Sequence, residues 1–411
     1  MGPFFFIIKI CLVLIFDYFA KSLFPEATTL WLILTSFLVC IVIRNTAMFR
    51  NLVSSFTNKV SRSSDTILSS RQELLLSLYN LSQYLERSHR ANDAKRARYR
   101  RMPAKHQHIC NSIGYPEKLT LVDTLLARNN DTIMRVYADG IVRHHVTEED
   151  LRQSRRLARS TNHYDYFRVV ESLCHLTRDW SESGSTEIQP LIDYICDNSR
   201  NLDLKNTTVI VPGSGLGRIS HELALMGFKE VHAVDFSWLM TLFNESIYGS
   251  RSQMASIYPY VHNYSNHWQT KDQMGLATYR YGIRQPENLH IHCQNFTEFT
   301  SPAETAAYNV LIVTCFFIDT AEDLLSYVDS INRICKPFKG KKRWINVGPL
   351  KYGTAPKVEL SNEELGDLTS AMGWNRIHQL NSPTKLGYLT DTIGLWQGYY
   401  GVCMWTAEKK C

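Results

Sequence analysis

Short apolar runs alternate with amphipathic stretches along the second half of this 411-residue chain. One apolar run begins at Thr207, passes into a Gly-rich segment and is followed by RISHELALMGF, whose apolar positions recur with a helical period. Further apolar runs lead to Asp235, Asn295 and Asp319, and another occurs in RWINVGPL. Each has the length of a buried strand, so the pattern predicts a doubly wound, parallel α/β sheet. In such a sheet, ligands bind at the carboxyl ends of the strands.

The first half of the chain has a different pattern. Residues 45–175 are mainly helical in periodicity, and a packing stripe is expected from apolar side chains at helical spacing: Leu74, Leu75, Leu78, Tyr79, Leu81 and Tyr84. Residues 4–19 and 28–43 are two apolar runs close to the length that spans a bilayer. Basic residues with few acids follow them, which by the positive-inside rule places the remainder on the cytoplasmic side.

We therefore expect three regions: a hydrophobic membrane anchor or hairpin over 1–50, a helical region over 51–185 and the α/β domain over 186–411. A buried helical hairpin is the alternative for the two apolar runs. A cleaved signal peptide is a further alternative for the first run, although a basic segment and a small-residue cleavage site are missing.

Charge and cysteine content narrow the class of protein. The chain has 45 basic and 39 acidic residues, and much of the surplus lies between Arg87 and Lys105. That run is expected either to contact phosphates or anionic lipid, or to form a solvated helix face. The 10 cysteines include no CxxC pair, which argues against a zinc site or a disulfide framework and predicts reduced thiols.

The Gly-rich segment after the first strand is GSGLG, residues 213–217. Glycines there allow a ligand close to the backbone, and Asp235, about 20 residues on, could accept hydrogen bonds from both ribose hydroxyls. A P-loop would need Lys and Ser or Thr after the last glycine, and a dinucleotide site usually has G-x-G-x-x-G. The compact G-x-G-x-G spacing favours an S-adenosylmethionine-dependent methyltransferase.

From about Ala94 to Lys409 the chain resembles the carnosine N-methyltransferase family. The resemblance rests on ordered strings: AKRARYRRMPAKHQ, LTRDWSESG, VPGSGLGRISHELALMGF, IYPYVHNYSN, VTCFFIDTAEDLLSYVDSINRICKP, WINVGPLKY and YYGVCMWTAEK. It implies a Rossmann-like methyltransferase sheet with a helical N-terminal extension. It also implies S-adenosyl-L-methionine as cofactor and the imidazole of carnosine, or of another histidine-containing peptide, as methyl acceptor. Methylation of carnosine would give anserine.

The resemblance also implies roles for individual residues. Its cofactor contacts correspond to His175, Arg178, Gly213, Gly215, Gly217, Asp235, Asn295 and Phe296. Its substrate contacts correspond to Phe316, Asp319 and Tyr400. Asp319 is the catalytic candidate, because a carboxylate beside one ring nitrogen would hold the imidazole tautomer and stabilise the cation that forms. No metal and no covalent nucleophile is expected.

Several positions depart from the family. Asp235 replaces a usual Glu, Asn295 an Asp and His175 a Gln. Gly353 stands where the family has a substrate-binding His, and Gly398 where it has a pocket Tyr.

Structural alternatives stay open for three candidate residues. Arg178 could pair with Asp179, Asp319 could cap a helix, and Phe316 could be core packing.

Other functions are also open. The chain could methylate another small molecule or a protein histidine, or it could be a degenerate member that binds cofactor without turnover. An oxidoreductase is a more distant alternative. A small histidine-containing peptide is the expected partner, with membrane association through residues 4–43 and a possible homodimer. No nucleic acid is expected.

Overall fold

The computed structural model describes residues 68–161, 165–300, 308–353 and 355–409. The predicted membrane segments, residues 4–19 and 28–43, lie outside these ranges. Residues Ser69–Cys411 group into one compact unit. Its helices before the first strand are α1 (Ser70–Ser82), α2 (Tyr84–Arg100), α3 (Ala104–Ser112), α4 (Tyr115–Arg143), α5 (Glu148–Thr161), α6 (Tyr166–Trp180) and α7 (Ser185–Asp197). The later helices are α8 (Arg218–Met226), α9 (Trp238–Glu245), α10 (Thr270–Gln273), α11 (Leu324–Cys335) and α12 (Asn362–Ala371).

Strands in the described part of the chain form one large sheet and one hairpin. The sheet contains β1 (Thr207–Pro212), β2 (Glu230–Asp235), β5 (Leu289–Cys293), β6 (Asn309–Cys315), β7 (Lys342–Gly348), β8 (Trp374–Gln379), β9 (Thr384–Gly387) and β10 (Tyr399–Lys409). Its order is β5-β2-β1-β6-β7-β10-β8, with β9 paired to β10. The separate hairpin consists of β3 (Gln253–Ile257) and β4 (Ala277–Tyr281).

The Rossmann-like core that the sequence predicted is confirmed, with one correction to the sheet. The five strands β1, β2, β5, β6 and β7 pair in parallel, as predicted. The sheet is nevertheless mixed, because β10 runs antiparallel between β7 and β8. An all-parallel sheet requires a crossover before every strand, whereas the chain reaches β10 through the short strand β9, with which it pairs antiparallel.

The order of the parallel strands positions the site. β1 lies between β2 and β6, and the chain turns in opposite directions to reach these two neighbours. The carboxyl ends of these strands therefore meet at one edge, at a topological switch point. β1 is buried along its whole length, which matches its continuous apolar run.

The helical region shares a core with the sheet. The predicted stripe on α1 and the start of α2 is buried, except that Tyr79 is partly exposed. Leu78, Val136 on α4 and Leu173 on α6 belong to the same apolar cluster as Val209 of β1. A second cluster on the other face of the sheet joins α11 to β6, β7 and β10. Helices thus cover both faces of the sheet.

The basic run and the cysteines both lie partly or wholly in the described residues. The basic run lies along α2 and the start of α3 with most of its side chains exposed, and Arg96 pairs with Asp93 and Asp123. The seven cysteines in the described ranges are free thiols. Within the described ranges, we find no helix that combines the length and the apolar character needed to cross a bilayer.

Candidate active site

The turn after β1 leaves open space above one of its glycines. Gly213, Gly215 and Gly217 have φ values of 62°, 53° and 77°, a region that side chains disfavour. A Cβ atom at Gly213 would lie 2.3 Å from the Phe317 ring, and one at Gly217 would lie 2.5 Å from the Asn244 side chain. A Cβ at Gly215 would meet no atom within 4 Å. Two of the glycines are therefore needed for packing, while Gly215 faces space that a ligand could fill.

Asp235, at the end of β2, braces this turn. One carboxylate oxygen accepts a hydrogen bond from the Gly215 backbone N–H at 2.9 Å, and the other accepts one from Ser237 N–H at 2.8 Å. Burial raises the pKa of Asp235, and these backbone donors only partly offset the effect. Each oxygen keeps a lone pair, so the carboxylate can accept further hydrogen bonds from a pair of hydroxyl groups.

Asn295 and Phe296 follow β5 at the same edge of the sheet. The Asn295 side chain is exposed, but its Oδ1 accepts hydrogen bonds from the backbone N–H and the hydroxyl of Thr297, at 3.0 and 2.9 Å. Phe296 is buried edge-to-face against Phe317, with ring centroids 5.6 Å apart. An adenine contact through Asn295 would therefore compete with the turn for Oδ1.

Arg178 on α6 is placed over the end of β6. Its Nε lies 3.1 Å from Asp179 Oδ1, so the ion pair considered from sequence is present. Burial alone would lower the pKa of Arg178, but the neighbouring anionic groups, Asp179 first, outweigh it and raise the pKa. The guanidinium carbon also lies 4.9 Å from the Tyr388 ring centroid and 5.7 Å from that of Phe316. The ion pair thus holds a permanent cation at the edge of an aromatic cluster.

That aromatic cluster consists of Phe316, Tyr388, Tyr400 and His175. Phe316 and Tyr388 stack with centroids 4.8 Å apart, and Tyr400 lies edge-to-face with Phe316 at 6.2 Å. His175 lies edge-to-face with Tyr388, with ring centroids 5.9 Å apart. Burial, with the Arg178 charge, lowers the pKa of His175 to about 3, so its imidazole is neutral.

Phe316 has an unusual backbone conformation. Its φ is 51°, in the left-handed region that bulky residues rarely adopt. A Cβ atom at Gly348 would lie 3.1 Å from the Phe316 backbone N, so a glycine at the end of β7 leaves room for this bend. The partly exposed Phe316 ring is thereby turned toward Tyr388 and Tyr400. Core packing alone, the alternative from sequence, does not require such strain.

Asp319 lies in a 3₁₀ turn, Ile318–Thr320, after β6. It is only 7% exposed, and its Oδ2 accepts a hydrogen bond from the Lys351 backbone N–H at 3.0 Å. Burial raises its pKa above the ordinary carboxyl value, despite that donor. It is not the cap of the following helix, because Asp323 accepts the hydrogen bond from Ser326 N–H at the start of α11.

Three residues that the sequence analysis did not single out as contacts complete the arrangement. Trp180 donates from Nε1 to the Leu216 carbonyl at 2.9 Å, which ties α6 to the glycine turn. Tyr388 fills the centre of the aromatic cluster, and Lys351 Nζ lies 3.2 Å from the Tyr400 hydroxyl. Trp180 lies inside the LTRDWSESG string that supports the family resemblance, so a signal for it existed. Tyr388 follows a four-residue strand with no distinguishing pattern.

A cavity of about 250 Å³ lies elsewhere against α6. It is lined by the start of α7, residues 389–393 and Tyr260, and includes Glu187 and Asp391. Of the predicted contacts, only Arg178 borders it. We therefore place the candidate site at the strand ends, where the open Gly215, Asp235 and Asp319 lie, and not in this cavity.

A family model described as carnosine N-methyltransferase matches residues 156–411. An uncharacterized protein of Saccharomyces cerevisiae is 35% identical over 246 residues, which are 57% of this chain and 53% of that protein. The carnosine N-methyltransferase of Mus musculus is 28% identical over 60% of this chain and 64% of its own length. That of Schizosaccharomyces pombe is 30% identical over 59% of this chain and 72% of its own length.

The first two of these relatives are therefore matched over less than two thirds of their own lengths. Among solved structures, a SAM dependent methyltransferase from Aquifex aeolicus is 14% identical, with a TM-score of 0.33 over 54% of this chain and 93% of its own. A magnesium protoporphyrin IX methyltransferase from Synechocystis with bound SAM is 13% identical, with a TM-score of 0.30 over 54% and 78%.

Proposed function

Since the chain belongs to the carnosine N-methyltransferase family, we propose that it methylates the imidazole of carnosine or of a related histidine-containing peptide. S-adenosylmethionine is the methyl donor in this proposal. The relatives in mouse and fission yeast carry the same description, which supports this acceptor class. The observation that carries the proposal is the open glycine turn beside Asp235, at the same edge of the sheet as the buried Asp319.

The residues present fit the cofactor. Gly215 faces open space, and the Asp235 carboxylate beside it has lone pairs for the two ribose hydroxyls. Arg178 offers a permanent cation for the cofactor's carboxylate, although it shares that charge with Asp179. When bound, S-adenosylmethionine supplies an electrophilic methyl group on a sulfonium, which a ring nitrogen of the acceptor can take. The chain's own side chains would orient the acceptor ring and stabilise the charge that forms on it.

Asp319 would orient the acceptor ring. A carboxylate that accepts a hydrogen bond from one ring N–H leaves the lone pair of the opposite nitrogen free for the methyl group. The ring becomes a cation once it carries the methyl group, and a buried carboxylate stabilises that charge more strongly than water would. Phe316 and Tyr400 would hold the flat ring between aromatic surfaces.

Position 353 favours a second candidate, transfer to a histidine peptide other than carnosine. A Cβ atom at Gly353 would meet no atom within 4 Å, so the space of the family's histidine is open. An acceptor with a larger group beside its imidazole could enter there. Membrane association through residues 4–43 stays a prediction, because these residues lie outside the described ranges.

A methyl-transfer assay tests the proposal. Labelled S-adenosylmethionine is incubated with carnosine, other histidine peptides and histidine-free peptides, using the wild-type chain and Asp319→Asn. We expect label on the imidazole of carnosine or another histidine peptide, and its loss in the variant. S-adenosylmethionine binding without transfer to any histidine acceptor would indicate a degenerate member and contradict the proposal.

A further inference from the structure

Lys351 is a charged residue beside Tyr400 to which the proposed methyl transfer assigns no role. Lys351 follows β7, is exposed, and places its Nζ 3.2 Å from the Tyr400 hydroxyl and 5.8 Å from the Tyr400 ring centroid. Within the described residues, its ammonium forms no ion pair with a carboxylate. Its backbone N–H is the group that donates to Asp319. Lys351 therefore contacts Asp319 through its backbone and places a cation beside Tyr400 through its side chain.

Burial raises the pKa of Asp319 and the Lys351 charge lowers it, but within the described residues no carboxylate forms an ion pair with Lys351. Gly353, two residues further on, leaves open space, because a Cβ atom there would meet no other atom within 4 Å. At Gly398, a Cβ atom would lie 2.8 Å from the Trp396 ring. The side chains that contact Tyr400 from the site are the aromatic rings of Phe316 and Tyr388, which carry no charge of their own in this cluster. A lysine in such a position, with a long flexible stem and a compact charge, suits an anionic group on the ligand.

The chemistry of a histidine acceptor supplies such a group. In carnosine the histidine is the last residue, so its free carboxylate sits on the carbon that also bears the imidazole-methylene group. If one ring nitrogen faces Asp319, the carboxylate lies only a few bonds away, and Lys351, whose backbone N–H donates to Asp319, is the nearby cation that could reach it. The amino end of the peptide has no such anion.

We propose that Lys351 binds the carboxylate of the acceptor histidine, so that the chain selects peptides in which histidine is C-terminal. This inference rests on the proposed function and names the feature of the substrate that the site distinguishes. Tyr400 contributes by holding the ammonium through its hydroxyl and ring. A peptide with histidine in its interior, or with an amidated C-terminus, loses this contact.

The test compares carnosine with carnosine amide on the wild-type chain and three variants. Lys351→Met removes the charge but keeps most of the stem, and Lys351→Arg restores a charge. Lys385→Met is the matched control, because Lys385 is also exposed and also lies over a tyrosine ring, that of Tyr399, 4.3 Å from its centroid. Tyr399 and Tyr400 are neighbours in β10, so they point to opposite faces of the sheet.

For the wild-type chain and Lys385→Met we expect a KM about tenfold lower for carnosine than for its amide, the size of one charge-assisted contact. In Lys351→Met that preference disappears through KM, because the contact is the same before and during transfer, while any effect of the lost charge on Asp319 is common to both peptides. Lys351→Arg recovers part of the preference. Titration calorimetry of carnosine, with S-adenosylhomocysteine present, should show the same loss of affinity in Lys351→Met.

An unchanged preference in Lys351→Met, or a wild-type chain that does not distinguish the two peptides, would overturn the inference while leaving the methyltransferase proposal intact. If the wild-type chain methylates neither these two peptides nor any other histidine peptide, the proposed function fails instead. Calorimetry with carnosine then still decides whether Lys351 binds its carboxylate, since weaker binding in Lys351→Met supports the contact and equal binding rejects it.

Discussion

The two acidic residues of the site are held in surroundings that disfavour their charge. Burial raises the pKa of both Asp235 and Asp319, and the backbone donors that each accepts from only partly compensate. An acid whose folded pKa lies above its unfolded value binds its proton more tightly in the folded state. Its effect on stability is therefore a loss that develops as the pH rises from the unfolded pKa to the folded pKa. A ligand N–H or O–H group that donates to either carboxylate would stabilise its charged form and lower its pKa.

Replacing Asp319 should separate stability from activity. Asp319→Asn keeps an oxygen that can accept the Lys351 backbone N–H but removes the buried charge. We expect a melting temperature equal to or above that of the wild type at neutral pH, with the difference shrinking as the pH falls toward about 4, the ordinary carboxyl pKa. Turnover should fall by roughly 10²- to 10⁴-fold, the usual contribution of a positioned acid or base.

Thermal scans across pH, with turnover at one pH, provide the measurement. A correctly folded Asp319→Asn protein with normal turnover would remove Asp319 from the mechanism. A melting temperature several degrees lower at neutral pH would show that the charge stabilises the fold.

Asp235 should matter for the cofactor and little for the fold. In Asp235→Asn the side chain keeps a single acceptor oxygen, so the bonds to Gly215 and Ser237 and those to two hydroxyls can no longer all form. We expect the Kd for S-adenosylhomocysteine to rise roughly tenfold or more, measured by calorimetry. The exposed Asp203→Asn serves as control and should bind normally. Equal affinity in the two variants would contradict the role of Asp235.

At the scale of elements, the sequence predicted the individual parallel strands. It did not predict the antiparallel pairing of β10 or the position of Tyr388. The five parallel strands were predictable because each is a short stretch rich in apolar residues that leads to a glycine or a polar residue. The glycine turn and the acids at the strand ends were predicted from the same pattern. Strand β10 alternates poorly, with exposed and buried residues at its start and a buried run later, so its direction and partners carried no periodic signal. Tyr388 was missed for the same reason.

The loop that carries Tyr388 is fixed by a helix. Glu187, on α7, accepts hydrogen bonds from the backbone N–H groups of Leu389 and Thr390 at 2.9 and 2.8 Å. Leu389 has a φ of 53°, so the loop needs such a restraint to hold this conformation. Glu187 is therefore expected to position Tyr388 against Phe316 without contacting the acceptor.

Glu187→Gln replaces one of the two acceptor oxygens by an NH₂ group that faces a backbone donor. We expect kcat/KM for the acceptor to fall by about 10- to 100-fold, since small displacements in a site have effects of this size. S-adenosylhomocysteine binding should change little, which calorimetry can check. Glu182→Gln, at an exposed glutamate near the start of α7, is the control. A parallel loss of cofactor affinity would show that Glu187 acts on the whole site and not on the loop.

At the scale of the whole molecule, the helical region and the sheet form one folding unit. Leu78, Val136 and Leu173 lie in the same buried cluster as Val209 of β1 and Leu242 of α9. Arg135 on α4 reaches the hairpin, where its guanidinium carbon lies 3.5 Å from the Tyr281 ring centroid. Removing the helices would expose the apolar side of the sheet to water, at roughly 25 cal/mol for each Å².

Truncation tests this dependence. A chain of residues 69–411 should unfold cooperatively and bind S-adenosylhomocysteine. A chain of residues 186–411 should lack a cooperative thermal transition and fixed near-UV circular dichroism. Cooperative unfolding of the shorter chain would show that the α/β part is stable without the helices.

The central claim is that the cofactor and the acceptor imidazole meet at the strand ends, between Asp235 and Asp319. A crystal structure of the chain with S-adenosylhomocysteine and carnosine measures this most directly. We expect the ribose hydroxyls to contact the Asp235 carboxylate, and one imidazole nitrogen to lie within hydrogen-bond distance of Asp319 while the other faces the sulfur. Carnosine in the cavity beside Glu187 and Asp391, with its ring remote from Asp319, would contradict it.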